Sequence, residues 1–106
     1  DMKTVRQALI DEIHYPISEG FIENKLLSRG ISPDDGLTIE VLNSNEFKGA
    51  VADCLWSLIE APSISESDKS ISLGDREIIL RKVNAIYQSI GEKAASFSDR
   101  PMVTIL

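Results

Sequence analysis

The side chains best suited to nucleophilic attack or proton transfer near neutral pH, cysteine and histidine, occur once each in this 106-residue sequence, as Cys54 and His14. A thiol becomes a good nucleophile when a neighbouring imidazole takes its proton, so a Cys54–His14 pair is the arrangement that catalysis would need. The spacing argues against it. Cys54 follows Phe47 and Val51 and precedes Leu55 in an i, i+4, i+7, i+8 series, where a thiol behaves as a small buried hydrophobe. His14 ends a helical stretch beside Tyr15-Pro16, which suits the negative end of a helix dipole. One histidine and one cysteine leave a transition-metal site short of ligands, and a lone cysteine excludes an internal disulfide.

The carboxylates form no better constellation. Asp34-Asp35-Gly36 has calcium-loop residue types without EF-hand spacing, and Pro33-Asp34-Asp35-Gly36 reads as a turn. Asp11 and Glu12 are adjacent, so on a helix they do not face each other. No GxxxxGK[ST] or GxGxxG phosphate loop occurs. The expectation is a non-enzymatic protein with no metal and no cofactor.

Charge is distributed unevenly. The chain carries a net charge of −6, yet residues 30–68 hold eight acids against Lys48 alone. An acidic middle is a poor surface for nucleic-acid phosphates or anionic lipid, so neither sequence-specific nucleic-acid binding nor membrane association is expected. Two readings of the acids stay open: a solvated surface, or a patch with Asp34, Asp35 and Glu40 that docks on a basic partner.

The elements that position these residues are helical. An apolar fraction of 42% and a charged fraction of 26% fit an ordinary globular domain. No apolar run approaches the ~20 residues of a membrane span, and the first residues lead into no secretory h-region. A soluble, intracellular single domain over residues 1–106 is expected. Residues 4–14 make one apolar stripe through Val5, Leu9, Ile10 and Ile13, with Thr4 as N-cap. Residues 19–29 form a second helix, capped by Ser18, burying Phe21, Ile22, Leu26 and Leu27 and stopped by Gly30. Residues 1–30 are thus a helical hairpin hinged at Pro16. Residues 37–42 favour a helical turn capped by Thr38, with a short strand as the alternative.

The core helices are expected over 44–61 and 75–91. Ser44 caps the first, which carries Phe47, Val51, Cys54, Leu55, Leu58 and Ile59. Asp75 caps the second, with Ile79, Val83, Ile86 and Ile90 as its stripe and Gly91 after its end. Trp56 lies off the main stripe, as a second core face or an interface anchor. Between them, residues 63–73 are serine-rich, with Ile64 and Ile71 each between two serines. That suits an extended or hairpin-like loop, a flexible linker being the competitor. The tail 99–106 turns to β-type residues after Pro101, either to pack on the domain or to pair with another chain. The fold class is all-α: a small four-helix domain with an extended loop between helices three and four.

This order resembles a known family. A central helix to Ala61, a Ser-rich loop ending Lys69-Ser70-Ile71-Ser72-Leu73-Gly74-Asp75, and a helix ending Ala85-Ile86-Tyr87-Gln88-Ser89-Ile90-Gly91-Glu92 are similar to the head–tail connector (adaptor) proteins of tailed bacteriophages and prophages. The resemblance covers residues 44–92. It implies a structural subunit that assembles into a ring below the portal, in a bacterial cytoplasm or a virion, with copies of itself and portal or tail components as partners. It also implies that loop 63–73 contacts neighbouring subunits. The expected assembly contacts are Ile64, Ile71 and Leu73 in that loop and Met102, Val103 and Ile105 in the tail. The acidic middle departs from what a channel crossed by DNA suggests, and has to face away from the passing DNA or merely tolerate it. The alternative function is a small bacterial adaptor or regulatory domain that binds one protein through the acidic surface.

Overall fold

The computed structural model describes residues 3–60 and 73–96. Most of the predicted loop 63–73, with Ile64 and Ile71, and the predicted tail 99–106, with Met102, Val103 and Ile105, lie outside those residues. Leu73 falls within them, as the first residue of the last helix. The described residues form five helices: α1 (Val5–Ile13), α2 (Glu19–Ser28), α3 (Ile39–Leu42), α4 (Asn45–Glu60) and α5 (Leu73–Ser89). Among them the β-type pairing is a single antiparallel bridge, Thr4 to Gly36. The all-α class holds, and the ambiguous 37–42 stretch resolves as the one-turn α3, with Thr38 Oγ1 accepting from the Val41 N–H at 3.1 Å.

The helix ends follow local chemistry. Thr4, Ser18 and Ser44 each accept a hydrogen bond from the N–H three residues on. The Pro-Asp-Asp-Gly turn docks on the start of α1: the Asp35 and Pro33 carbonyls accept from the Val5 and Arg6 N–H groups at 2.9 and 3.1 Å. Those donors have no partner within their own helix. α1 stops at Ile13, one residue before the predicted end, because His14 adopts left-handed backbone with φ of 66°. Gly30 and Gly91, both at φ of 81°, end α2 and α5 in the same way. Ile31 N–H returns to the Leu26 carbonyl and Glu92 N–H to the Tyr87 carbonyl, which is the Schellman closure.

α4 packs against all four other helices. Such a helix must be apolar on most sides, and its buried residues run from Phe47 and Ala50 to Leu58 and Ile59. Around it lie Leu9, Ile13, Ile22, Leu26 and Val83, all nearly inaccessible to solvent. Each such aliphatic side chain contributes about 1.5–3 kcal/mol by leaving water.

Two expectations need correction. Leu27 is 59% exposed, not buried: Ile22 and Leu26 point at the core, and Leu27 lies a further ~100° around α2. α5 begins at Leu73 instead of being capped by Asp75, which sits within its first turn. Tertiary docking sets this start. The Arg76 guanidinium donates to the Ile59 carbonyl, with Nε at 3.2 Å, so the first turn of α5 satisfies a carbonyl at the end of α4. The end of α4 and the start of α5 therefore lie side by side.

Candidate interaction surfaces

Cys54 and His14 lie in different surroundings, one buried and one exposed. Cys54 is inaccessible to solvent, and burial, reinforced by Asp53, pushes its thiol up to about 12. It is a core residue, and its surroundings favour the neutral thiol. His14 is exposed at the end of α1, and among the described residues no hydrogen bond joins it to Cys54. Among the described residues there is no group of three or more His, Cys, Asp or Glu able to hold a metal ion.

The predicted acidic surface divides. Asp34 accepts from Arg6 Nη1 at 2.7 Å, and Arg6 also donates to Glu23, so α1, α2 and the 33–36 turn share one arginine. Those carboxylates hold the Arg6 guanidinium above its ordinary value. Asp34 is therefore engaged within the fold. Asp35 and Glu40 are exposed and form no ion pair among the described residues; Glu46, at the start of α4, joins them. Asp34, though paired with Arg6, is itself 80% exposed, so all three expected acids reach solvent, with Glu46 beside them.

α3 and the first turn of α4 form a wall between two recesses. On one side is a groove of about 470 Å³. Ala8, Leu37, Phe47, Val51 and Ile86 make its apolar floor, with Leu42 from α3 at its edge. Lys3, Lys48 and Lys82 stand on its rim against Asp11 and Glu12. Lys3 is bound to Asp11 at 2.9 Å, and Lys3 and Gln7 hold that carboxyl below its ordinary value. Lys48 and Lys82 have no ion pair among the described residues. On the other side of the wall, Glu40, Val41 and Glu46 line a shallower recess that reaches Arg29 and Gly30. Ile39 is 75% exposed on α3.

A second arginine organises the opposite end of the α4–α5 pair. Arg29 Nε and Nη2 donate to Asp53 at 2.9 and 3.0 Å, and Nη1 donates to Glu92 at 2.6 Å. Tyr87 Oη donates to the same Asp53 carboxylate at 2.6 Å. Four elements thus meet at one carboxylate and one guanidinium. Burial, then the Asp53 hydrogen bond, raises the Tyr87 hydroxyl above its ordinary value, and the two carboxylates do the same for Arg29. Gly49 makes room for it, since a Cβ there would collide with the Arg29 head. Neither Arg29 nor Gly49 was singled out by the sequence pattern. A glycine inside an otherwise strong helix was the available signal, because it disfavours the helix by ~1 kcal/mol unless something approaches closely.

Past Gly91 the chain runs back beside α5. Asn84 Nδ2 donates to the Ala95 carbonyl at 3.0 Å, and its Oδ1 accepts from the Ala95 N–H at 2.7 Å. Trp56 is half-buried and packs on the core. Of the expected assembly contacts, Ile64, Ile71, Met102, Val103 and Ile105 lie outside the described residues, and Leu73 opens α5. No described helix is long and apolar enough to cross a membrane.

The chain belongs to DUF6706, a family of unknown function, whose pattern matches residues 3–105. No curated protein and no solved structure matches it.

Proposed function

We propose that this DUF6706 chain is a non-enzymatic structural subunit that acts by assembly, in the manner of a phage or prophage head–tail connector, within a bacterial host or a virion. The observation that carries this reading is the α4–α5 pair. Arg76 on Ile59 brings the end of α4 to the start of α5. At the other end, Arg29, Asp53, Tyr87 and Glu92 pin the pair to α2. A body braced at both ends suits a rigid wedge that packs against its neighbours, with the serine-rich segment as its arm in this reading.

Native mass by light scattering after size exclusion, over a wide concentration range, tests this. A discrete high-order oligomer is expected, and deleting residues 102–106 should weaken it more than it weakens folding. A monomer at every concentration would overturn self-assembly. The exposed Asp34, Asp35 and Glu40, with Glu46 beside them, favour a second reading, an adaptor that binds one basic partner through this surface. A monomer that binds such a partner, with Glu40→Lys abolishing the binding, would establish it.

A further inference from the structure

We infer that the channel over α4, between α1 and α5, binds a helix of another protein that is apolar along one stripe and acidic on the flank that meets α5. The inference goes beyond the assembly reading and applies to a monomer or an oligomer alike.

The groove beside α3 does not end at Lys82. That lysine also lines a second recess, of about 400 Å³, with Ile13, His14, Tyr15, Leu55 and Ile78. The two recesses share one floor. Phe47 and Val51 lie under the first and Leu55 under the second, at i, i+4 and i+8 on one face of α4. Ala8 and Glu12 of α1 form one side. Ile86, Lys82 and Ile78, four residues apart along α5, form the other. α1 and α5 each pack on α4, and the space left between them above its stripe is the channel.

Exposed apolar surface collects along it. Among the described residues the exposed large apolar side chains are Leu27, Ile39, Leu42 and Ile78. Leu42 edges the first recess and Ile78 lines the second. Ile39, three residues before Leu42 and four before Asn43, shares the face of α3 that these two turn to the groove. Leu27, on α2, lines neither recess. Three of the four therefore border one channel, and apolar surface gathered in this way marks a binding site.

Shape and charge specify the occupant. The walls and floor are helices, whose backbone groups are already paired. An extended segment finds no sheet edge to join here, whereas a helix brings its own hydrogen bonds. From Phe47 to Leu55 the floor runs about 12 Å, or about two helical turns. Charge is divided across the channel. Lys48 and Lys82, on α4 and α5, have no ion pair among the described residues, and Glu12 faces them from α1. Lys3 and Asp11 neutralise each other at 2.9 Å. In a chain of net charge −6, the two lysines are a local reversal of sign. Carboxylates on the flank of the helix that meets α5 complement them. Such pairs set register and encounter rate, and salt weakens them.

Three labelled peptides of about 16 residues test this. Each carries leucine at i, i+4, i+7 and i+11, with glutamate, glutamine or lysine at the flanking positions, and binding to the full chain is read by fluorescence anisotropy. The glutamate peptide should bind the wild type roughly tenfold or more tightly than the lysine peptide. K48E/K82E should invert that order, and Leu42→Ser with Ile78→Ser should weaken all three alike. All four positions are exposed, so circular dichroism should show wild-type helicity in both variants. An order that survives K48E/K82E, or no binding of the glutamate peptide at about 1 mM chain, would overturn the inference. So would binding that appears only after residues 97–106 are removed, or a peptide that lowers the native mass of the wild type. The channel would then belong to the chain's own tail or to a second copy.

Discussion

Replacing Gly49 by Ala sets two effects of opposite sign against each other. In a helix interior alanine is favoured over glycine by ~1 kcal/mol. At position 49, however, the new methyl group runs into the Arg29 guanidinium, with Nε at 2.8 Å and Cζ and Nη1 closer still. An arginine head normally swings aside. This one is held by two hydrogen bonds to Asp53, at 2.9 and 3.0 Å, and both side chains are only 19% exposed. A hydrogen bond to a charged group contributes about 1.5–3 kcal/mol. The more exposed Glu92 adds little, because solvent screens it. Losing most of the Asp53 contact outweighs the gain in propensity, so Gly49→Ala should destabilise the fold by about 1–2 kcal/mol. In an Arg29→Ala background the obstacle is gone, and the same substitution should stabilise by ~1 kcal/mol. The sign of the effect therefore inverts. Urea unfolding of the four proteins, followed by circular dichroism and compared as a double-mutant cycle, measures it. If Gly49→Ala stabilises both backgrounds equally, the guanidinium is not held against α4 and the reasoning fails.

Two further outcomes follow from the same structure. Because the Cys54 thiol is pushed up to about 12 from an ordinary 9.0, the folded chain keeps a proton that the unfolded chain releases. Its contribution to stability is complete below the unfolded value and is lost as pH rises towards the folded one. Cys54→Ala should flatten this alkaline decline, by ~1.4 kcal/mol per pH unit at most, in a pH series of urea midpoints; the raised Tyr87 hydroxyl continues to titrate in the variant, and an unchanged slope would clear Cys54 of any part. Asn84→Ala removes both hydrogen bonds that hold Ala95 beside α5. Hydrogen exchange at the Ala95 amide should rise to open-chain rates while protection at Val83 persists; continued protection at Ala95 would mean that other contacts hold the segment.

The patterns legible in the chain were the local ones. Thr4, Ser18, Thr38 and Ser44 cap helices where their side chains predict, because a cap depends on a hydroxyl and an N–H three residues away. The stripes of α1 and α4 are read correctly for the same reason: helical periodicity is a property of neighbours along the chain. Leu27 was misread because α2 has four apolar residues and only contact with α1 and α4 decides which of them face inward.

By itself, then, the sequence determined the class of fold, the helix order and the burial of Cys54, each through interactions between residues a few positions apart. Tertiary structure decided the rest. Arg29 meets Asp53 24 residues away and Glu92 63 residues away, and Asp34 is claimed by Arg6 at a separation of 28. Lys3, Lys48 and Lys82 gather on one rim from three distant segments, while Glu46, two residues from Lys48, faces the other way. Charge in the sequence is a linear count, whereas a surface is made by packing, which sorts neighbouring charges onto opposite sides of a helix and brings remote ones together.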